Sequence, residues 1–74
     1  MAIEHLRVIY PLPRQVNAND VSVGETNMPL RLPADVYTIT LDGPPDYAPP
    51  SIDIVLGGTT TETPKVIVFQ PKQV

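Results

Sequence analysis

Residues 32–50 read LPADVYTITLDGPPDYAPP. The first half alternates: Tyr37, Ile39 and Leu41 fall on one face, and Thr38, Thr40 and Asp42 on the other. Period two is the pattern of a strand with one buried face. After Asp42 come Gly43, four prolines and Tyr47. Proline fixes φ and lacks a backbone donor, so the strand must end in a stiff corner.

The same alternation recurs on both sides of this stretch. Leu6, Val8 and Tyr10 share a face opposite His5 and Arg7. Val21 and Val23 flank Ser22. Met28, Leu30 and Leu32 read inward, with Pro29 and Arg31 outward. Ile52, Ile54 and Leu56 alternate with Ser51 and Asp53. The segments between are turn chemistry: NAND (17–20) for Asx-turns, GETN (24–27) as a hairpin connection, and GGTTTETP (57–64) opening on two glycines. Pro29 inside a strand predicts an edge position, because it cannot donate to a ladder. Ten prolines exclude long helices. Short strands at this spacing predict an all-β fold, a small six- to seven-stranded antiparallel β-sandwich, Ig-like or prealbumin-like, with no significant helix. Residues 1–74 read as one such domain, with 71–74 as a flexible tail.

A chain of 74 residues buries only about 60% of its unfolded surface, so its core is thin. There is no cysteine, which removes disulfides and thiolate chemistry. The net charge is −3, and no Lys or Arg occurs between Arg31 and Lys65. Nucleic-acid partners need a basic face, so none is expected. No apolar run reaches the roughly 20 residues that span a bilayer, and no membrane insertion is expected. Glu4, His5 and Arg7 interrupt any signal-peptide core. The chain reads as soluble, and as a cell-envelope component if it belongs to a longer protein.

The order of these motifs resembles the PEGA family of small β-sandwich repeats, found mostly in bacterial and archaeal surface or envelope proteins. Met28-Pro29-Leu30 matches its Thr-Pro-Leu. Residues 32–37, Leu-Pro-Ala-Asp-Val-Tyr, match its strand opener, and Asp46-Tyr47-Ala48-Pro49 its Gly-Tyr turn. Carboxypeptidase-regulatory-like and other Ig-like modules share parts of the pattern. Asp35 and Asp46 stand where the family has glycine; aspartate tolerates left-handed backbone better than most residues, so both substitutions are physically possible. The resemblance implies no catalytic residues and a role in protein or repeat contacts.

Candidate chemistry is sparse. His5 is the single histidine, so no usual zinc set can form. It also leaves Ser22 and Ser51 without a positioned base other than His5, which alternates with Arg7 on a polar strand face. Asp42, Asp46 and Asp53 are weak calcium candidates, read first as turn aspartates bonding their own backbone. The acidic loops also raise a carbohydrate site as an alternative, although with no Trp there is little for sugars to stack on. Gly57-Gly58 is followed by threonines, with no lysine to bind phosphate. No cofactor and no enzyme activity are expected. The last run, Val66-Ile67-Val68-Phe69, is apolar on both faces. A strand in an exposed sheet should alternate. One of its faces, together with Val55, is therefore expected to meet a protein partner, a neighbouring domain or a second copy in a homo-oligomer. Tyr47, in its proline-rich loop, either folds back over the sandwich end or joins that contact surface.

Overall fold

The computed structural model describes residues 3–44 and 46–72. These form nine strands and no helix: β1 (Ile3–Ile9), β2 (Gln15–Ala18), β3 (Val21–Glu25), β4 (Pro29–Pro33), β5 (Asp35–Leu41), β6 (Tyr47–Ala48), β7 (Ile52–Leu56), β8 (Lys65–Val68) and β9 (Gln70–Pro71). They assemble as a three-stranded sheet β4-β1-β8, a four-stranded sheet β3-β2-β5-β7 and a two-stranded sheet β6-β9.

Alternation places the core. Leu6, Val8, Leu30, Leu32 and Ile67 come from the three-stranded sheet. Val16, Ala18, Ile39, Leu41, Ile54 and Leu56 come from the four-stranded one, and all lie in one buried cluster with Tyr10 and Phe69. In each strand the residues between them face outward. Pro29 lies on β4, an edge strand, opposite Arg7.

Three features of the strand layout differ from the sequence expectation. The strands number nine instead of six or seven. The additions are β2, β6 and β9, of four, two and two residues, too short for a periodic signal. The strands are not purely antiparallel: β1 and β8 run parallel, with Val8 opposite Ile67. Finally, residues 24–27 do not close a hairpin, because β3 and β4 belong to different sheets.

The true tight hairpin is β2–β3. Ala18 pairs with Val21, and the two residues between them, Asn19 and Asp20, have φ of 50° and 66°. Positive φ at both central positions is the I′-type geometry that suits strand twist, and Asn and Asp tolerate it best after glycine. Asn19 also lengthens the β2–β5 ladder. Its amide donates to the Thr38 carbonyl, and its side-chain oxygen accepts from the Thr38 amide at 2.9 Å.

Neither Asp35 nor Asp46 uses left-handed backbone; the non-glycine residues with positive φ are Asn19, Asp20 and Asn27 among those described. Asp35 instead accepts a bond from the Val36 amide at 2.7 Å. Met28, expected inward, is exposed ahead of β4, and Tyr37 is only half-buried. The tail expected over 71–74 begins with ordered pairing. Pro71 lies opposite Tyr47, and the Lys72 amide donates to the Asp46 carbonyl. Residues 73–74 lie outside the described residues.

Candidate interaction surface

The last apolar run divides at Phe69. Its amide donates to the Ile9 carbonyl at 3.0 Å, between β8, which pairs with β1, and β9, which pairs with β6. Ile67 and Phe69 enter the core, whereas Val66 and Val68 stand in solvent. One face of the run is thus used inside the domain and the other is open.

Tyr47 folds back over the end of the sheets. Its hydroxyl donates to the Leu41 carbonyl at 2.8 Å and accepts from the Leu41 amide at 3.2 Å. Its ring sits edge-on between Tyr10, at 6.3 Å, and Phe69, at 5.3 Å. Such edge-to-face pairs are the favoured aromatic geometry. Of the six contact candidates, Tyr47, Ile67 and Phe69 therefore serve the domain's own packing. Val55, Val66 and Val68 remain exposed, and they do not form one patch: Val55 is on the outer face of the four-stranded sheet and the other two on that of the three-stranded sheet.

The three aspartates do not converge either. Asp46 forms a two-pronged ion pair with Arg14, the Nη2 atom donating to both carboxylate oxygens at 2.8 Å. Arg14 Nη1 donates to the carbonyls of Asp42 and Pro44, and the guanidinium lies 5.6 Å above the Tyr10 ring. The planar fork of arginine suits this simultaneous bonding. Arg14 therefore holds the stiff corner seen in the sequence. Asp42 accepts from Asn17, and Asp53 accepts from the Thr38 hydroxyl at 2.8 Å. No group of three or more His, Cys, Asp or Glu is placed to hold a metal among the described residues.

The serines and the histidine stay apart. The Ser22 hydroxyl bonds the Gln15 side-chain amide. Ser51 is exposed. His5 lines a hollow of about 170 Å³ with Leu6, Arg7, Pro29, Leu30, Thr61 and Pro64. Drug-sized ligands occupy pockets of about 300–1,000 Å³, so this hollow is small for one.

Several polar groups that the sequence reading passed over replace missing strand partners. Glu4 points inward on β1 and is buried. It accepts from the Thr59 amide at 2.8 Å and the Thr59 hydroxyl at 2.7 Å, while that hydroxyl accepts from the His5 amide. This ties the loop after β7 to β1. Thr26, also buried, accepts from the Arg14 amide and donates to the Leu12 carbonyl. The Asn27 side chain bonds both the amide and the carbonyl of Tyr10. The local signal for each was a polar residue at a strand end; its partner lay 12 to 55 positions away. Burial, with the Asp35 charge adding to it, raises the Tyr37 phenol above its ordinary pKa, and its hydroxyl donates to the Pro33 carbonyl.

Glu4 gives a pH-dependent prediction. The Thr59 amide and then its hydroxyl hold the Glu4 carboxyl below its ordinary value of 4.5; burial opposes this and His5 assists it. A carboxylate whose folded pKa is depressed adds stability that is complete above the unfolded pKa and is lost as pH falls through the folded one. Glu4→Gln removes that titration. The stability gap between wild type and E4Q in urea unfolding should be widest near pH 7 and shrink below pH 4.5. An equal gap at pH 7 and pH 3 would remove the charge from the account.

The two outer faces carry opposite charge. On the three-stranded sheet, His5, Arg7 and Arg31 point outward with Val66 and Val68, and Val66 lies directly opposite Arg7. On the four-stranded sheet, Val36 lies directly opposite Val55, and Glu25, Asp42 and Asp53 share that outer face. Strands β2, β3, β5 and β7 contain no Lys or Arg. Apart from Glu4, which is buried, β1, β4 and β8 contain no Asp or Glu.

Among the described residues no helix is long and apolar enough to cross a membrane. No family model, no curated protein and no solved structure matches the chain; its described residues form a small all-β domain.

Proposed function

We propose that the chain is a non-catalytic β-sandwich module, of the PEGA or a related Ig-like kind, that mediates protein–protein or repeat-to-repeat contacts. One observation carries this reading. The carboxylates of Glu4, Asp42, Asp46 and Asp53 are occupied in holding strands and loops, while apolar side chains remain exposed on both broad faces: Val36 and Val55 on one, Val66 and Val68 on the other. Exposed apolar side chains that are grouped and flanked by charge suit contact with another protein surface.

The alternative is a small ligand-binding domain using the acidic loops, for calcium or carbohydrate. Calcium needs six to eight converging oxygens, and Asp46 is already committed to Arg14. Calorimetric titration with calcium chloride and with simple glycans is expected to be flat. Micromolar calcium binding that moves the Asp42, Asp46 or Asp53 amide resonances would reject the interaction reading in favour of the alternative.

A further inference from the structure

We infer that the two outer sheet faces are complementary to each other, so that the cationic face of one copy docks on the acidic face of the next. The inference rests on the interaction reading above and names the partner as a second copy of this domain, either as a separate chain or as a neighbouring repeat.

Three observations support that occupant. Arg7 and Arg31 are exposed on one face, and the one ion pair among the described residues is Arg14–Asp46. His5 lies directly opposite Arg31 in the β1–β4 register. Basic side chains grouped across neighbouring strands favour an acidic surface laid over them. The opposite face supplies Asp42, Asp53 and Glu25, with no basic residue in its strands. Each face also carries an exposed valine pair, Val66/Val68 against Val36/Val55, so apolar area meets apolar area where charge meets opposite charge.

Because the two faces belong to opposite sides of one domain, the contact is heterologous. It repeats head to tail instead of closing a two-fold dimer. A sheet face of three or four strands, each about 4.8 Å apart and about 17 Å long, covers on the order of 300 Å². Stable complexes cover about 800 Å² per partner. A single contact is therefore weak, and it gains strength when neighbouring domains are tethered and their local concentration is high.

The test is a charge swap. Wild-type protein is followed by sedimentation and by amide chemical shifts up to about millimolar concentration in low salt, where surface charge is least screened. Concentration-dependent association is expected, with shifts on both faces. Arg7→Glu with Arg31→Glu should weaken it about tenfold or more, and so should Asp42→Lys with Asp53→Lys, because each puts like charges face to face. Mixing the two variants should restore it, since each then presents to the other the sign it has lost for itself. Val55→Lys, at a 75% exposed position, gives a second acidic-face variant if D42K/D53K fails to fold, and it should also weaken association.

A wild type that stays monomeric throughout overturns the inference. So does association that one face's variants weaken and the other's leave intact, which would mean a face pairing with itself. A monomer with flat calcium and glycan titrations refutes the face pairing but not the interaction reading, whereas tight calcium binding refutes the reading beneath it.

Discussion

Replacing Phe69 with alanine is expected to unfold most of the domain at room temperature. Phe69 is 1% exposed and among the largest fully buried side chains. Its ring meets Tyr47 edge-on at 5.3 Å, and Tyr47 in turn meets Tyr10. Phe→Ala in a packed core costs about 3–5 kcal/mol. A single core of this size rarely supplies more than about 3–5 kcal/mol of net stability, so the loss is comparable with the whole. Val68→Ala, one residue earlier and 47% exposed, should change stability by no more than about 0.5 kcal/mol. Urea unfolding followed by tyrosine fluorescence distinguishes the two, and amide-resonance dispersion checks whether F69A retains a fold. A stable F69A beside a destabilised V68A would invert the assignment of the two faces of the last run.

That pair of residues marks the boundary of what the sequence could say. Period two was enough to find β1, β4, β5 and β7 and to place their buried sides, because each has at least two inward apolar residues in alternation. It could not resolve residues 66–69, where both faces are apolar. What separates them is long-range: Val66 and Val68 face away from the core because Ile67 lies opposite Val8 in the parallel ladder with β1. Parallel pairing leaves no local mark. β2 was hidden for another reason. Its two inward residues, Val16 and Ala18, run straight into Asn19 and Asp20, so the turn signal masked a four-residue strand.

The candidate site was legible in its ingredients and not in its assembly. The sequence singled out Asp46 and Tyr47, and both are structurally employed. Their partners, Arg14 and Phe69, are 32 and 22 positions away, and no spacing rule links them. The uneven charge was also visible, as a stretch free of Lys and Arg. That this becomes two opposed faces depends on topology. Strands β1, β4 and β8 draw basic residues from both ends of the chain into one sheet, and β2, β3, β5 and β7 gather the acidic middle into the other. The corner aspartates looked like ligands because a carboxylate in a loop has the same sequence signature whether it binds a cation or an arginine.

Gly24→Ala should be the most damaging of the small substitutions, and its cause can be isolated. Gly24 sits on β3 opposite Val16, next to a register shift in the β2–β3 ladder, with φ at +147°. A Cβ there would collide with Leu30 Cδ2. Leu30 is itself buried and lies opposite Leu6, so it has little room to turn away. Overpacking a filled core costs about 1–3 kcal/mol. Holding a side chain in a backbone region that favours glycine costs about 1–3 kcal/mol more. The two causes separate in a double-mutant cycle. Leu30→Ala alone should cost about 2–5 kcal/mol through its cavity. These losses approach the net stability of so small a domain, so every variant is measured in an osmolyte that strengthens the folded state. In G24A/L30A the new methyl enters space that Leu30 has left, and the double variant should lose at least about 1 kcal/mol less than the sum of the single losses. That coupling would place the strain at the contact between the two sheets, where β3 crosses to β4. Additive losses would instead assign the glycine to its backbone angle alone, and the close approach of Leu30 would then be incidental.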